Sequence, residues 1–370
     1  MPSDQDFLDP CRKLIHGSGL GPTSPSYMRL ISLCILLPIA LVMDCFIIYG
    51  FYYAKNDILK FAELIESLSS FGQLLVRKFI LIVHKRVIQE VFELRKNFWK
   101  YETFGEEHGN YLRHKMIMAK RAMQTMVGLV TMIVFCLCLS TITNKERSLP
   151  LESWTPENES IKCVFYTMQV ISMAEVLYFV GTVDSFYVLM CTDIKIQFLL
   201  LKEKLRSLRS KAPIDCLNGL KTCIKHHNLL LSVHKKLNRI FSEYFLVQYF
   251  VSVLAACVQL YILKYITASL EDLLKSLVYL VAVFVQVALF FMLASDIEEE
   301  AEQLADEIYD VDWESTSDPK IRKQLLFMLM RAQEPLCMLG GGMVHINRNE
   351  YIVLFRLAFS VSTLLGTTVE

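Results

Sequence analysis

The chain has 370 residues, of which 54% are hydrophobic, and its mean hydropathy is +0.38; soluble domains are usually less apolar, so the excess must sit in long apolar runs. Its 38 basic and 38 acidic residues cancel, which gives no reason to expect nucleic-acid binding. Eleven cysteines fall mostly inside apolar or predicted cytosolic stretches and do not read as a disulfide framework.

The first 28 residues carry Pro, Asp and Gly where a signal peptide needs a short apolar core, and the run that follows is too long for one. That run, from Arg29 to Lys55, holds Asp44 as its single charge, and Leu59 to Val83 is apolar with Glu63, Glu66, Arg77 and Lys78 scattered in it. Arg121 to Lys145, Glu243 to Lys264 and Lys275 to Asp296 bound stretches without charge; Cys163 to Val183 carries only Glu175, and Tyr351 to Val369 only Arg356. At about 1.5 Å rise per residue, roughly 20 residues cross the hydrocarbon core, so each stretch is long enough. Seven spans are expected. The second and seventh are amphipathic, and an interfacial or cytosolic helix is the alternative for each.

The connections decide the threading. Lys85 to Arg121 holds nine Lys and Arg and Lys195 to Arg239 holds eleven, whereas the loops of the other parity hold six in all. Twenty against six places the basic connections and the N-terminus in the cytosol and the C-terminus outside, the reverse of a G-protein-coupled receptor. The sequon Asn158-Glu159-Ser160 then lies in an extracellular loop, where glycosylation of Asn158 is expected. After Ser295 the composition turns acidic, with Ile297, Ala301, Leu304, Ala305 and Ile308 at helical spacing, which predicts an amphipathic helix outside the membrane. Ser317 and Asp318 offer a cap and Pro319 a first residue for a second helix to about Leu339, stopped by Gly340, Gly341 and Gly342.

The stretch Tyr309-Asp310-Val311-Asp312-Trp313, then Arg331-Ala332-Gln333-Glu334-Pro335-Leu336, then Gly341-Gly342 before a final span, resembles the C-terminal signature of insect odorant receptors. Tyr166 and Gln169 at the fourth span agree with it, while Ala358-Phe359-Ser360 departs from the Ser-Tyr-Ser often found there. The resemblance implies an all-α integral membrane protein of seven transmembrane helices with cytosolic anchor helices. Its implied layout is a cytosolic segment 1–29, helices 1–6 with the ligand region over 30–296, anchor helices over 297–342, and a pore-lining seventh helix over 343–370. The anchor signature is carried by Tyr309, Trp313, Arg331, Gln333, Pro335 and Gly341. The large insertion of the shared co-receptor is lacking in the second intracellular loop. The resemblance therefore implies an odour-tuned subunit of a ligand-gated, non-selective cation channel, assembled with the co-receptor as a heterotetramer in the plasma membrane of olfactory neuron dendrites. Implied partners are a volatile odorant, the co-receptor and membrane lipid, with no cofactor.

For the odour pocket the resemblance implies the outer half of segments 2, 3, 4 and 6, which here holds Phe71, Phe135, Leu139, Met173, Leu177, Tyr178, Tyr279 and Phe284. Small apolar ligands are recognised by shape, aromatic packing and a few hydrogen bonds; for any one of these residues ordinary core packing is the competing role. In the last span Ser360, Ser362, Thr363, Thr367 and Thr368 mix with Val361, Leu364 and Leu365, which suits a pore with an apolar gate at the last three and equally suits close helix packing. Glu175 and Asp184 are nine residues apart and face opposite sides of a helix, which argues against a carboxylate pair. Asp44 is expected to be buried and hydrogen-bonded. Cys223, His226, His227 and His234 form the densest Cys/His cluster, but neighbouring helical residues diverge by about 100° and no metal is expected. No nucleotide loop, nucleophile elbow or metalloprotease motif appears, so an enzyme is not expected. Competing readings are a gustatory receptor channel of the same superfamily, then a transporter or a G-protein-coupled receptor; no internal repeat of the kind transporters carry is visible.

Overall fold

The computed structural model describes residues 7–54, 57–143, 149–155, 158–208, 213–265, 270–311 and 319–369. Within them the chain is helical almost throughout. A short α1 (Asp9–Gly17) precedes a first long helix made of α2 (Ser26–Ile31), a π-turn at Ser32–Leu36 and α3 (Leu37–Tyr53). The π-turn lies just before Pro38, which supplies no amide to the helical ladder, so the extra residue absorbs the break. Next come α4 (Ile58–Val83), capped by the Asp57 carboxylate, then α5 (Lys85–Arg95) and α6 (Glu106–Thr143). The fourth long helix is α7 (Glu159–Phe179), a second π-turn at Val180–Asp184 and α8 (Ser185–Arg206).

The last third holds α9 (Pro213–Tyr265), α10 (Leu270–Tyr309), α11 (Pro319–Ala332), a strand pair β1 (Leu339–Gly340) and β2 (Val344–His345), and α12 (Arg348–Val369). Among the described residues, five helices are long and apolar enough to cross a membrane: Ser26–Tyr53, Glu106–Leu139, Glu159–Arg206, Cys216–Lys264 and Leu273–Tyr309. The 26-residue α4 and 22-residue α12, each with charges along it, complete the seven.

Two boundaries differ from the sequence expectation. The acidic amphipathic stretch after Ser295 is no separate helix; it continues α10 without a break. Its apolar stripe is covered by the chain itself, with Ile297, Ala301, Leu304 and Ile308 buried in contacts of α10 with α8, α9 and α11. And α11 ends at Ala332, seven residues before Leu339, because Pro335 cannot sit in a continuing helix. Gly340 instead ends β1, and Gly341 and Gly342 lie in the turn to β2, where they take φ of +59° and +72°. A side chain on Gly341 would also strike Leu246 of α9, to which its own amide is tied through Ser242 O at 2.9 Å.

α9 is the axis of the fold, touching α4, α5, α8, α10, α11 and α12. At about 1.5 Å per residue its 53 residues run near 80 Å, so it reaches from the end bearing the basic connections, here the basic end, to the opposite or far end. One large core occupies the middle and the basic end. Its centre is aromatic: Tyr187 lies 4.9, 5.1 and 5.3 Å from the rings of Phe241, Phe245 and Phe290 and donates its hydroxyl to Phe290 O. Beyond it a ladder of ion pairs joins α8 to α10, through Lys195–Asp296 at 2.8 Å, Lys202–Glu300 at 2.5 Å and Arg206–Glu307. Arg95 and Tyr101 both bond Asp193 at 2.7 Å.

Candidate functional site

The far end is packed differently, as two small clusters apart from the main core. One joins Ile47 and Ala54 of α3's end, Leu64 and Phe71 of α4, and Met173 of α7, with Leu68, Val176, Leu151 and Val134, Leu137 and Cys138 of α6 against it. The other joins Ala62 and Ile65 of α4 with Ala255, Val258 and Ile262 of α9, and Tyr279 of α10 packs on it. Phe51 touches both. These clusters sit toward the end of the bundle where α3, α6 and α9 end and α4, α7 and α10 start.

Polar groups rim these clusters. Gln169 is fully buried and clasps Leu151 through both backbone groups, donating to its carbonyl at 2.9 Å and accepting its N–H at 3.1 Å. Gln259 donates to Glu66 at 2.5 Å, and Tyr279 hydrogen-bonds Ser69. Ser172, buried one residue before Met173, has no hydrogen-bond partner for its hydroxyl oxygen among the described residues. A region with apolar walls and a few oriented polar groups is what small, mainly apolar ligands require.

Toward the basic end two buried ion pairs cross between α4 and the fourth long helix. Arg77 grips Asp184 with two bonds of 2.8 Å and donates to Tyr244 at 3.0 Å, while Lys78 donates to Glu175 at 2.8 Å and to Leu36 O at 3.1 Å. Glu175 and Asp184 thus face apart, as their spacing requires, and each takes one of two adjacent cations. Asp44 is buried as expected, but neither of its carboxylate oxygens has a hydrogen-bond partner among the described residues.

The structure brings Phe71, Met173 and Tyr279 to the far-end clusters and leaves Leu177 half-buried one turn from Met173. It does not bring the other four there. Phe135 and Leu139 are 65% and 47% exposed, because α6 turns Val134, Leu137 and Cys138 inward instead. Tyr178 donates to Leu14 O of α1 at 2.6 Å and so belongs to the docking of the N-terminal segment, in the half facing the basic end. Phe284 stacks on Phe355 of α12, with centroids 3.6 Å apart and planes 10° apart, and its carbonyl accepts the Tyr351 hydroxyl at 3.3 Å. Sequence reading missed the polar rim of Glu66, Gln259 and Ser172, since a lone polar residue in a span gives no sign of what it faces.

α12 buries Leu354, Ala358 and Ser362 against the bundle, chiefly on α9 and α10. Its other side carries Val353, Leu357, Ser360 and Leu364 exposed at helical spacing, and Arg356 beside them. Of the three gate candidates, Leu364 is 64% exposed and Val361 is half-buried against the main core, while the Leu365 side chain lies outside the described residues. Of the signature residues, Tyr309 and Gln333 are exposed, as is Pro335; Arg331 pairs with Glu334 at 2.5 Å, and Trp313 lies outside the described residues, as do Asp312, Ser317 and Asp318. Asn158 is exposed and caps α7 by accepting Ser160 N–H at 3.0 Å. Cys223, His226, His227 and His234 do not converge. His226 stacks on Trp99 at 3.9 Å, and burial pushes the three imidazoles down to about 3, about 4 and about 4 in order.

Comparison with known proteins adds the family context. The 7tm Odorant receptor family model matches residues 60–359. Odorant receptor 22b of Drosophila melanogaster is 25% identical over 189 residues, covering 48% of this chain and 47% of that receptor. Odorant receptor Or2 of Anopheles gambiae is 21% identical over 338 residues, covering 84% and 89%. The chain spans about half the length of receptors 22b and 22a. Among solved structures, the insect olfactory receptor OR5 from Machilis hrabei in complex with eugenol superimposes with a TM-score of 0.77 at 16% identity, over 98% of both chains, which bears on the fold.

Proposed function

The chain belongs to the 7tm odorant receptor family, and on that premise we propose that it is an odour-tuned subunit of a ligand-gated, non-selective cation channel, assembled with a co-receptor in the plasma membrane. The basic connections face the cytosol, so the far end is the outer half, and a volatile odorant sits among Phe71, Met173, Leu177 and Tyr279 there. Gln169, Ser172 and Gln259 supply the few polar contacts. The observation that carries this is the pair of small, polar-rimmed apolar clusters in the outer half of a receptor-family fold. Eugenol in the complex with Machilis hrabei OR5 has this chemistry, an aromatic ring with few polar atoms, and it supports a similar ligand class here.

α12 lines the pore. Its inner stripe holds it to α9, and the exposed stripe of Val353, Leu357, Ser360 and Leu364 is left to face the channel axis among neighbouring subunits. An apolar ring at Leu364 closes such a pore by dewetting. The Phe284–Phe355 stack gives the link from ligand to pore, since any shift of α10 moves a ring in flat contact with α12. The acidic length of α10 and α11 anchors the assembly below the membrane, and Asn158 is the glycosylation site of the outer surface.

The test is odour-evoked current in cells expressing the chain with and without an insect co-receptor. Current that needs both subunits and survives G-protein blockade is expected. Current that G-protein blockade abolishes, or a response no different without this chain, would overturn the reading.

A further inference from the structure

Three side chains that the odour site does not use meet where α10, the strand pair and the start of α12 join. The ligating atoms of Glu298, Cys337 and His345 lie within 4.8 Å of one another, and the Cys337 thiol donates to Glu298 Oε1 at 3.3 Å. All three residues are half-buried. They come from separate pieces of backbone that are themselves fixed: Glu298 from α10, Cys337 from the stretch entering β1, and His345 from β2. Leu339 pairs with His345 across the strands, and Ile346 N–H donates to Met338 O at 2.9 Å, so the two ends of the hairpin are held in register beside α10.

A thiolate, an imidazole and a carboxylate are ligands of zinc and its neighbours in the transition series; calcium and magnesium take oxygen ligands. Zinc bonds of about 2.0–2.3 Å set tetrahedral ligand atoms roughly 3.3–3.8 Å apart. The widest gap here would close by about an ångström, which side-chain rotation supplies, and a fourth position stays open to water. The surroundings add negative charge, since the carboxylates of Glu298 and Glu302 both act on the Cys337 sulfur. Carboxylates beside a thiol and an imidazole draw a divalent ion. Arg348, the basic residue at the head of α12, is engaged elsewhere, by Asp296 and Glu299.

We propose that Glu298, Cys337 and His345 form a binding site for a zinc-class transition-metal ion, the thiol proton passing to solvent when the ion binds. The site has a place in the mechanics of the chain. Asn347 joins the site to the last helix, with its Nδ2 3.0 Å from His345 Nδ1 and its Oδ1 accepting Glu350 N–H at 3.0 Å in the first turn of α12. A bound ion would tie β2, whose His345 lies three residues before the start of α12 at Arg348, to α10, and would exchange the Asn347–His345 hydrogen bond for the metal bond.

Cobalt is the probe, because thiolate coordination gives it a near-ultraviolet charge-transfer band and tetrahedral geometry gives intense visible bands. The full-length chain, purified in detergent, is titrated with Co2+ and then with Zn2+. Expected are a charge-transfer band saturating at one ion per chain and displaced by zinc, loss of that band in Cys337→Ser, and at least tenfold weaker cobalt binding in His345→Ala and Glu298→Gln. Absence of the band in the unsubstituted chain overturns the proposal whether or not any variant folds. A band undiminished in a monodisperse Cys337→Ser would place the metal on another of the eleven cysteines and overturn it too. The readout involves no odour response, so it stands or falls apart from the receptor reading.

Discussion

The basic end and the far end of this bundle are built on opposite plans. Toward the basic end, α8 buries 16 of its 22 residues, aromatic rings interlock around Tyr187, and charged side chains are paired across helices. Toward the far end the cores are two clusters of five buried residues each, and only 6% of the apolar window of α6 is buried inside the chain. A region with fewer buried contacts opens at lower free energy than a continuous core, so the difference supports the proposal that the fixed frame lies at one end and the ligand-taking walls at the other. The Arg77–Asp184 and Lys78–Glu175 pairs mark the border.

That division can be broken most severely at the border. Arg77 and Asp184 are 1% and 0% exposed, and removing one partner strands the other charge at a cost of about 3–5 kcal/mol. Asp184→Ala is expected to lower the melting temperature sharply and to reach the cell surface poorly, as fluorescence-detected size exclusion and surface labelling will show. Asp184→Ala together with Arg77→Met should recover much of the loss. A single mutant as stable as the parent would mean the frame does not depend on this pair.

Acidification is the next largest lever, through three histidines of the basic end. His226, His227 and His234 are buried neutral, with pKa values held to about 3 to 4 against an ordinary 6.5. Below 6.5 the unfolded chain binds protons that the folded chain refuses. Stability is therefore full above pH 6.5 and falls as pH drops toward 4, by up to about 1.4 kcal/mol per pH unit for each histidine. Melting curves at pH 7.5 and 5.0 should show this, with a shallower fall in His226→Gln; equal slopes would count against it.

The smallest effect concerns α12, whose two faces repeat the contrast on a single helix. Leu364→Asn is expected to raise basal current in the co-expressed channel about fivefold, near 1 kcal/mol of gating free energy, with surface expression kept. Val361→Asn, half-buried against the core, should instead lose expression. The reverse pattern would rotate the pore-facing stripe.

Much of this was legible in the sequence where one physical rule dominates. Apolar length marked the spans, which appear as long helices, and the charge-poor loops marked one end. The basic bias has a second cause that counting could not separate: Arg95, Lys195, Lys202, Arg206 and Lys236 pair with acidic side chains, all five across more than 90 residues of chain. Site residues were harder, because depth in a span does not fix azimuth. Phe135 and Val134 are neighbours in sequence, and the fold turns one outward and the other into the cluster. Tyr178 is only five residues from Met173, yet its partner is the N-terminal α1, a contact 164 residues distant that periodicity does not encode. Glu298, Cys337 and His345 escaped for the same reason: metal motifs are recognised by close spacing, and these three converge only after α10 and the strand pair dock.

The most direct measurement is the odour concentration–response of Met173→Ala and Phe71→Ala in the co-expressed channel, scaled to the current from a direct co-receptor agonist, with Phe135→Ala as the outward-facing control. The far-end account predicts a shift of at least fivefold in both inward variants with the agonist current unchanged, and no shift in the control. Superimposable curves for Met173→Ala, Phe71→Ala and the parent, at equal surface expression, would contradict it.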